Sequence, residues 1–251
     1  MTYIILAAGA GTRLHPITLS VPKALFSLDS STTILRRMVN TIRLLDSAAK
    51  IVVVTGFQKD TVMKHVSDVV WINNPFYAVT NSLASLWFAK EFLENEVTII
   101  DGDIVMSQKL MSDIVTQHTD IPYVLMDTSV KDNGDYNVQE DGGKVIVMSK
   151  SLTHYSGEYA GVTKLDRESA YRLRQRIREM VDSGIYTIWY EDALVQMIFE
   201  ENFTLFTQNI SRYEWTEVDD VDDLVYAKKI HKKDAGIDNS GMQGHLLTEG
   251  K

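Results

Sequence analysis

The chain has 251 residues, of which 45% are hydrophobic and 24% charged, a composition typical of a globular protein that forms one large domain or two small ones. It contains no cysteine, which excludes disulfides, thiolate zinc sites and a cysteine nucleophile. The net charge of −9 argues against general binding to nucleic acid. With no apolar run of the roughly 18 residues that a membrane helix needs, and no signal-peptide pattern at the N-terminus, we expect a cytoplasmic protein without a membrane partner.

Positive charge is concentrated near the N-terminus. Residues 1–50 contain six basic and two acidic side chains and carry a net charge of +4, so the other 201 residues carry −13. A positive end on an acidic protein predicts a local site for a small anion.

The predicted elements alternate between strands and helices over the first 120 residues. Four short apolar runs have the pattern of buried strands: 3–8, 51–55, 69–72 and 97–100. Helical spacing of apolar residues predicts three helices: 33–45, 59–66 and 82–93. Such alternation gives βαβ units, so we expect a three-layer, Rossmann-like α/β fold with a mainly parallel sheet.

An antiparallel extension is predicted beyond residue 120. Three further strands are expected at 123–126, 136–138 and 145–148, and Asp141-Gly142-Gly143 is typical of a hairpin turn between the last two. Two helices are predicted to follow: 168–182 and 191–200. Residues 232–251 show no periodicity and few large apolar side chains, which predicts a flexible tail or a linker to a fused C-terminal domain.

The first predicted strand runs into a glycine-rich turn flanked by two cations. The segment reads Leu6-Ala7-Ala8-Gly9-Ala10-Gly11-Thr12-Arg13-Leu14 and is followed by Pro22-Lys23. Glycines at a strand end let backbone N–H groups approach phosphate, and Arg13 and Lys23 bring positive charge to the same place. The pattern predicts a nucleotide-binding turn, with a tight βα turn and a surface arginine as the alternative.

Two common nucleotide-binding motifs do not fit this segment. The dinucleotide fingerprint needs a third glycine where the chain has Leu14, and an acidic residue where it has Thr55-Gly56. The Gly-Lys-Ser/Thr of a Walker A loop is absent from the sequence. A nicotinamide-dependent reductase is therefore disfavoured.

With Arg13 and Pro22-Lys23 at this distance, the segment resembles the signature of the nucleotidyltransferase family that makes sugar nucleotides and CDP-alcohols. Later motifs resemble the small branch of CTP:phosphocholine and 2-aminoethylphosphonate cytidylyltransferases: Asn81-Ser82-Leu83-Ala84-Ser85-Leu86-Trp87, Asp101-Gly102-Asp103, Trp189-Tyr190-Glu191-Asp192 and Glu217-Val218-Asp219. The resemblance implies a single domain over 1–230, with a nucleotide-binding half at 1–120 and an acceptor-binding half at 121–230.

The same resemblance implies transfer of CMP from CTP to a small amine-bearing phosphate or phosphonate, with release of pyrophosphate. Five residues would bind the nucleotide through their backbone: Leu6, Ala7, Ala8, Gly9 and Gly11. Arg13 would neutralise the leaving pyrophosphate, and Lys23 would bridge the α-phosphate and the attacking group. This reaction needs positioning and positive charge rather than a side-chain nucleophile.

The resemblance further implies a Mg²⁺ cofactor held by Asp103 and Asp219, whose hard oxygen ligands suit this ion. Asp101 is the less favoured partner, because the turn that follows it can direct its side chain elsewhere. Aspartates at strand ends are also common turn residues. Three more aspartates lie within four residues of Asp219, so the register of this motif is open to a shift of one.

Base recognition is expected from Asn81 and Ser85, two neutral polar residues one helical turn apart. For Asn81 the alternative is capping of its own helix.

The acceptor is expected at Trp189, Tyr190, Glu191 and Asp192. Aromatic faces bind a quaternary ammonium, whereas carboxylates accept hydrogen bonds from a primary one. The two carboxylates favour 2-aminoethylphosphonate over phosphocholine, since acceptors facing methyl groups would be left without partners. The alternative is two core aromatics followed by acidic residues at a helix N-terminus. Lys150 is a candidate partner of the phosphonate, with a solvated surface lysine as its alternative.

Two other functions compete with a cytidylyltransferase. A sugar-1-phosphate nucleotidyltransferase would share the N-terminal signature, but such enzymes are usually longer and carry sugar-binding motifs not found in this sequence. A non-catalytic nucleotide-binding regulator would be expected to lose Lys23 or the aspartates, which this chain retains.

Overall fold

The computed structural model describes residues 1–11, 21–130 and 134–236. The strands over these residues are β1 (Thr2–Ala7), β2 (Lys50–Thr55), β3 (Val70–Asn73), β4 (Val97–Asp101), β5 (Ile104–Met106), β6 (Tyr123–Asp127), β7 (Asn137–Asp141), β8 (Lys144–Ser149), β9 (Gly157–Leu165), β10 (Phe206–Asn209) and β11 (Trp215–Glu217). The helices are α1 (Ile34–Leu45), α2 (Lys59–Met63), α3 (Ser82–Phe88), α4 (Gln108–Leu110), α5 (Arg167–Asp182), α6 (Tyr190–Glu201) and α7 (Val221–Asp234). Helix α4 continues as a π-helical turn over Met111–Val115.

Nine strands form one mixed sheet in the order β3-β2-β1-β4-β9-β6-β10-β8-β7. The first four strands of this order run parallel, with Ile4 opposite Val52 on one side and Ile99 on the other. Strand β9 is antiparallel to both of its neighbours, and the β7–β8 hairpin lies at the far edge. The predicted α/β fold with a parallel half and an antiparallel extension is confirmed.

The sheet separates two apolar layers because its side chains alternate between the faces. Ile4 packs with helices α3, α5 and α6, whereas Tyr3 and Ile5 pack with α1 and the α4 region. All three side chains are fully buried. Strand β1 is therefore covered on both faces, which explains why its sequence is apolar without alternation.

Strand β9, in the middle of the sheet, was not predicted. Gly161 interrupts its sequence and has a φ of +67°, at an irregularity in the pairing with β6. A glycine inside a segment that also contains Glu158, Thr163 and Lys164 is typical of a turn, but here it allows a bulge inside a central strand. The short strands β5, β10 and β11 and helix α7 were also missed. The helices predicted at 59–66 and 82–93 end early, at Met63 and Phe88, the second followed by a separate 3-10 turn over Lys90–Phe92.

Helix α7 closes a third, smaller core. Its Ala227 and Ile230 pack against Phe26 and Ile34. Near its end, the Asp234 carboxylate accepts a 2.6 Å hydrogen bond from the buried Arg37 side chain. Residues 232–234 of the segment predicted as a tail therefore belong to this helix, while 237–251 lie outside the described residues. In the described ranges no helix is both long and apolar enough to cross a membrane.

Candidate active site

A cavity of about 630 Å³ opens at the carboxyl ends of β1 and β4. The end of β1 contributes five of the predicted residues: Leu6, Ala7, Ala8, Gly9 and Gly11. The second half of the chain contributes seven more: Asp135, Tyr136, Lys150, Tyr159, Trp189, Glu191 and Glu217. Ligands of open α/β sheets bind at the carboxyl ends of strands, so the cavity lies where such a fold places a binding site.

Close contact between two loops shapes the end of this cavity at β1, where the nucleotide is predicted to bind. The Gly102 N–H donates a 2.9 Å hydrogen bond to the carbonyl oxygen of Leu6, and a Cβ at Gly102 would lie only 2.7 Å from that oxygen. Only glycine fits, and Asp101 and Asp103 are thereby held beside the end of β1. Gly11 has a φ of +63°, which glycine adopts without strain. The predicted catalytic residue Arg13 lies outside the described residues.

Lys23 projects into the cavity from a 3-10 turn that follows Pro22. The residue is 8% exposed, and its ammonium forms ion pairs with Asp103, at 3.3 Å, and with Asp219. Three residues from distant parts of the sequence, all predicted as catalytic or metal-binding, therefore meet at one point.

Glu217 joins Asp103 and Asp219 in a cluster of carboxylates. One oxygen from each residue lies within 4.8 Å of the other two. Antiparallel pairing of β5 with β11 sets Glu217 opposite Ile104, and the Val218 N–H donates to the Asp103 carbonyl at 3.1 Å. Burial and the charges of Asp103 and Asp219 raise the pKa of Glu217 to about 10. Such a set of oxygen ligands can hold a hard divalent cation.

The aspartates that follow Asp219 have a different structural role. Asp220 caps helix α7 by accepting a hydrogen bond from the Asp223 N–H at 2.9 Å. The Asp223 carboxylate in turn accepts from the N–H groups of Asp219 and Asp220, each at 3.0 Å. This reciprocal cap leaves the Asp219 side chain directed at Lys23.

Asn81 and Ser85, predicted to contact the base, both line the cavity. Asn81 Oδ1 accepts a hydrogen bond from the Ser82 N–H at 2.8 Å, so the residue also caps helix α3. The Ser85 hydroxyl accepts from the buried amide of Asn74 at 3.0 Å and donates to the Asn81 carbonyl at 3.4 Å. These bonds fix the positions of both side chains at this end of the cavity.

Aromatic rings form a wall at the other end of the cavity, where the acceptor is predicted to bind. Tyr136 packs edge to face against Tyr159 and against Trp189, with ring centroids 6.0 and 6.4 Å apart. Tyr190 lies in the hydrophobic core behind this wall, where its hydroxyl is hydrogen-bonded to those of Tyr159 and Thr163. Of the two predicted aromatic residues, Trp189 therefore faces the cavity and Tyr190 supports the wall.

The two carboxylates that follow Tyr190 differ in position. Asp192 accepts hydrogen bonds from the Trp189 N–H, at 3.0 Å, and from the Tyr136 hydroxyl, at 3.4 Å, and so completes the start of helix α6. Glu191 lines the cavity, is 4% exposed, and its Oε2 has no hydrogen-bond partner among the described residues. Burial raises the pKa of Glu191 to about 8, and burial together with the Glu191 charge raises that of Asp101. A cation entering this space favours the ionised form of both groups.

Several lining residues were missed by sequence reasoning: Tyr77, Asp135, Tyr136 and Tyr159. Tyr159 lies on β9, the strand that was not predicted. The sequence analysis named Glu217 only as part of a motif and did not predict it as a metal ligand. Its position two residues before Asp219 is the signal that could have identified it.

Comparison with known proteins agrees with this geometry. The sequence model of the nucleotidyl transferase family matches residues 2–146. The chain belongs to this family. A choline-phosphate cytidylyltransferase of Streptococcus pneumoniae is 28% identical over 93% of the chain and 100% of that protein. A 2-aminoethylphosphonate cytidylyltransferase of Lancefieldella rimae is 32% identical over 42% of the chain and 44% of that protein.

A solved structure of the CTP:phosphocholine cytidylyltransferase from Streptococcus pneumoniae shares the fold of this nucleotidyltransferase. It aligns with a TM-score of 0.74 at 23% identity and covers 92% of this chain and 99% of that one. This likeness supports the fold assignment.

Proposed function

We propose that this nucleotidyltransferase is a cytidylyltransferase that transfers CMP from CTP to a small phosphate or phosphonate carrying an ammonium group. The observation that carries the proposal is that the β1 turn, Lys23 and the buried carboxylate of Glu191 line one cavity, and that Glu191 Oε2 has no hydrogen-bond partner in the described part of the chain. The first two suit a triphosphate, and the third suits a cationic acceptor. The names of the two cytidylyltransferase relatives support the same choice of nucleotide and acceptor class.

In the proposed reaction, an acceptor oxyanion attacks the α-phosphorus of CTP. A bond forms between these atoms, the bond from the α-phosphorus to the β-phosphate bridging oxygen breaks, and pyrophosphate leaves with that oxygen. The backbone of residues 6–9 and 11 orients the nucleotide beside Lys23, whose ammonium stabilises charge that develops on the transferring group. Arg13 is proposed to neutralise the departing pyrophosphate. Asn81 and Ser85 are proposed to bind the cytosine.

The carboxylate cluster of Asp103, Glu217 and Asp219 is proposed to hold Mg²⁺. Its donors are all carboxylate oxygens, within 4.8 Å of one another, and this set fits a hard cation. A bound Mg²⁺ would supply positive charge to the triphosphate.

For the acceptor, we favour 2-aminoethylphosphonate. A primary ammonium can donate hydrogen bonds to Glu191, whereas a trimethylammonium group would leave that buried oxygen without a partner. Phosphocholine is the second candidate, because the aromatic wall of Tyr136, Tyr159 and Trp189 suits a quaternary ammonium. The Streptococcus pneumoniae relative that aligns over its full length is a choline-phosphate cytidylyltransferase, which supports the same acceptor.

A pyrophosphate-release assay tests the proposal. CTP, UTP, dTTP and ATP are each combined with 2-aminoethylphosphonate, phosphocholine and glucose 1-phosphate, with Mg²⁺ or with a chelator. We expect release only with CTP, an amine-bearing acceptor and Mg²⁺ together. If UTP or dTTP with glucose 1-phosphate is the better pair by about tenfold in kcat/KM, a difference of roughly 1.4 kcal/mol in the barrier, the chain is a sugar-phosphate enzyme instead.

A further inference from the structure

Lys150 places a cation inside the proposed acceptor site. Its Nζ lies 4.9 Å from the ring centroid of Trp189 and donates a 2.9 Å hydrogen bond to Asp135. Both partners line the cavity, as does Lys150 itself. A lysine over a tryptophan face makes the same type of contact as an ammonium ligand.

Two acidic groups lie in the same space. The buried Glu191 and the half-buried Asp101 both line the cavity, and the positive charge of Lys150 lowers the pKa of Glu191, against the larger effect of burial. We call the space bounded by Asp101, Asp135, Trp189 and Glu191 the ammonium pocket. Glu191 Oε2 has no hydrogen-bond partner within the described residues, so Lys150, whose Nζ contacts Asp135 and Trp189, makes no hydrogen bond to it.

We propose that Lys150 competes with the acceptor for the ammonium pocket and must be displaced before the acceptor binds. The proposal rests on the proposed function, because it concerns the same acceptor site. An incoming ammonium that reaches Glu191 gains a hydrogen bond that Lys150 does not make. A phosphate or phosphonate without a cation cannot donate that hydrogen bond to Glu191 and leaves Lys150 in place. Lys150 is thus a specificity residue that acts against acceptors without an ammonium group.

The competition has a measurable consequence for affinity. When only a fraction of the protein molecules is competent to bind a ligand, the apparent dissociation constant equals the intrinsic dissociation constant divided by that fraction. If Lys150 occupies the pocket in about 70 to 90% of molecules, its removal tightens binding of a simple ammonium by about three- to tenfold.

The test uses ligands that carry only one half of the acceptor. Ethanolamine and choline provide the cation, and ethylphosphonate provides the phosphonate without it. Their binding to the full chain is measured by calorimetry for the wild type, Lys150→Met, Lys150→Gln and Lys150→Arg. Lys144→Met, at an exposed lysine of the neighbouring hairpin, is the matched control. The dissociation constant of CTP reports whether each variant retains the folded site.

We expect Lys150→Met and Lys150→Gln to bind ethanolamine about three- to tenfold more tightly, and Lys150→Arg and Lys144→Met to stay within about twofold of the wild type. Affinity for CTP should be unchanged. Unchanged or weaker ethanolamine binding in Lys150→Met overturns the proposal, and so does an absence of amine binding in every variant. If amine binding tightens as expected but no acceptor yields pyrophosphate, this inference stands and the proposed function fails.

Discussion

Lys23→Ala is expected to lower kcat by about two to four orders of magnitude, the largest single effect in the site. The ammonium is the described cation closest to the carboxylate cluster, and it would stabilise charge that develops on the transferring phosphoryl group. Because that interaction strengthens in the transition state, kcat should fall more than the KM for CTP rises. Steady-state kinetics at saturating CTP measures the effect.

Lys144→Ala is the control for loss of a lysine, since Lys144 is exposed at the β7–β8 turn and should retain wild-type kcat. Circular dichroism establishes that Lys23→Ala is folded. Retention of more than about a third of wild-type kcat/KM, a loss of less than about 0.7 kcal/mol, would rule out the role given to Lys23.

Glu191→Gln is expected to raise the KM for 2-aminoethylphosphonate by about tenfold, which corresponds to the loss of about 1.4 kcal/mol in one charge-assisted hydrogen bond. The substitution keeps the size of the side chain but removes its negative charge from the cavity. The KM for CTP should stay within about twofold, because the nucleotide is proposed to bind at the β1 end. Acceptor and CTP titrations in the pyrophosphate assay provide both constants.

Asp192→Asn is the matched control for this substitution. The Asp192 carboxylate contacts the Trp189 N–H and the Tyr136 hydroxyl at the start of helix α6, so its loss should lower stability by about 0.5 to 1 kcal/mol and leave the acceptor KM nearly unchanged. The assignment of the ammonium to Glu191 is wrong if the two variants have equal effects on the acceptor KM, or if phosphocholine is used as well as 2-aminoethylphosphonate.

The nucleotide end of the cavity was predictable because its signals are local in sequence. An apolar strand, the glycines that follow it and the Pro22-Lys23 pair lie within 21 residues, and βαβ alternation places the end of such a strand at a binding crevice. The family resemblance added Asp103 and Asp219, which are far apart in the sequence. The structure then brought both to Lys23.

The acceptor end was harder to predict because it depends on tertiary pairing. Tyr159 reaches the cavity from β9, whose glycine bulge and polar residues hide its strand character in the sequence. The pairing of β5 with β11 decides that Glu217 joins the carboxylate cluster. Tyr190 and Glu191 are adjacent in sequence, yet Tyr190 lies in the core and Glu191 lines the cavity. The rotation of helix α6 about its axis sets this difference, and residue type alone does not.

Phosphorus NMR of a reaction containing CTP, Mg²⁺ and 2-aminoethylphosphonate tests the central claim most directly, because it identifies the product as well as the leaving group. We expect equal amounts of pyrophosphate and of a new species in which CMP is joined to the phosphonate through one P–O–P linkage, absent with Lys23→Ala on the same time scale. Consumption of CTP to CMP and pyrophosphate without a phosphonate-linked product, or no reaction of CTP with any amine-bearing acceptor, would contradict the assignment.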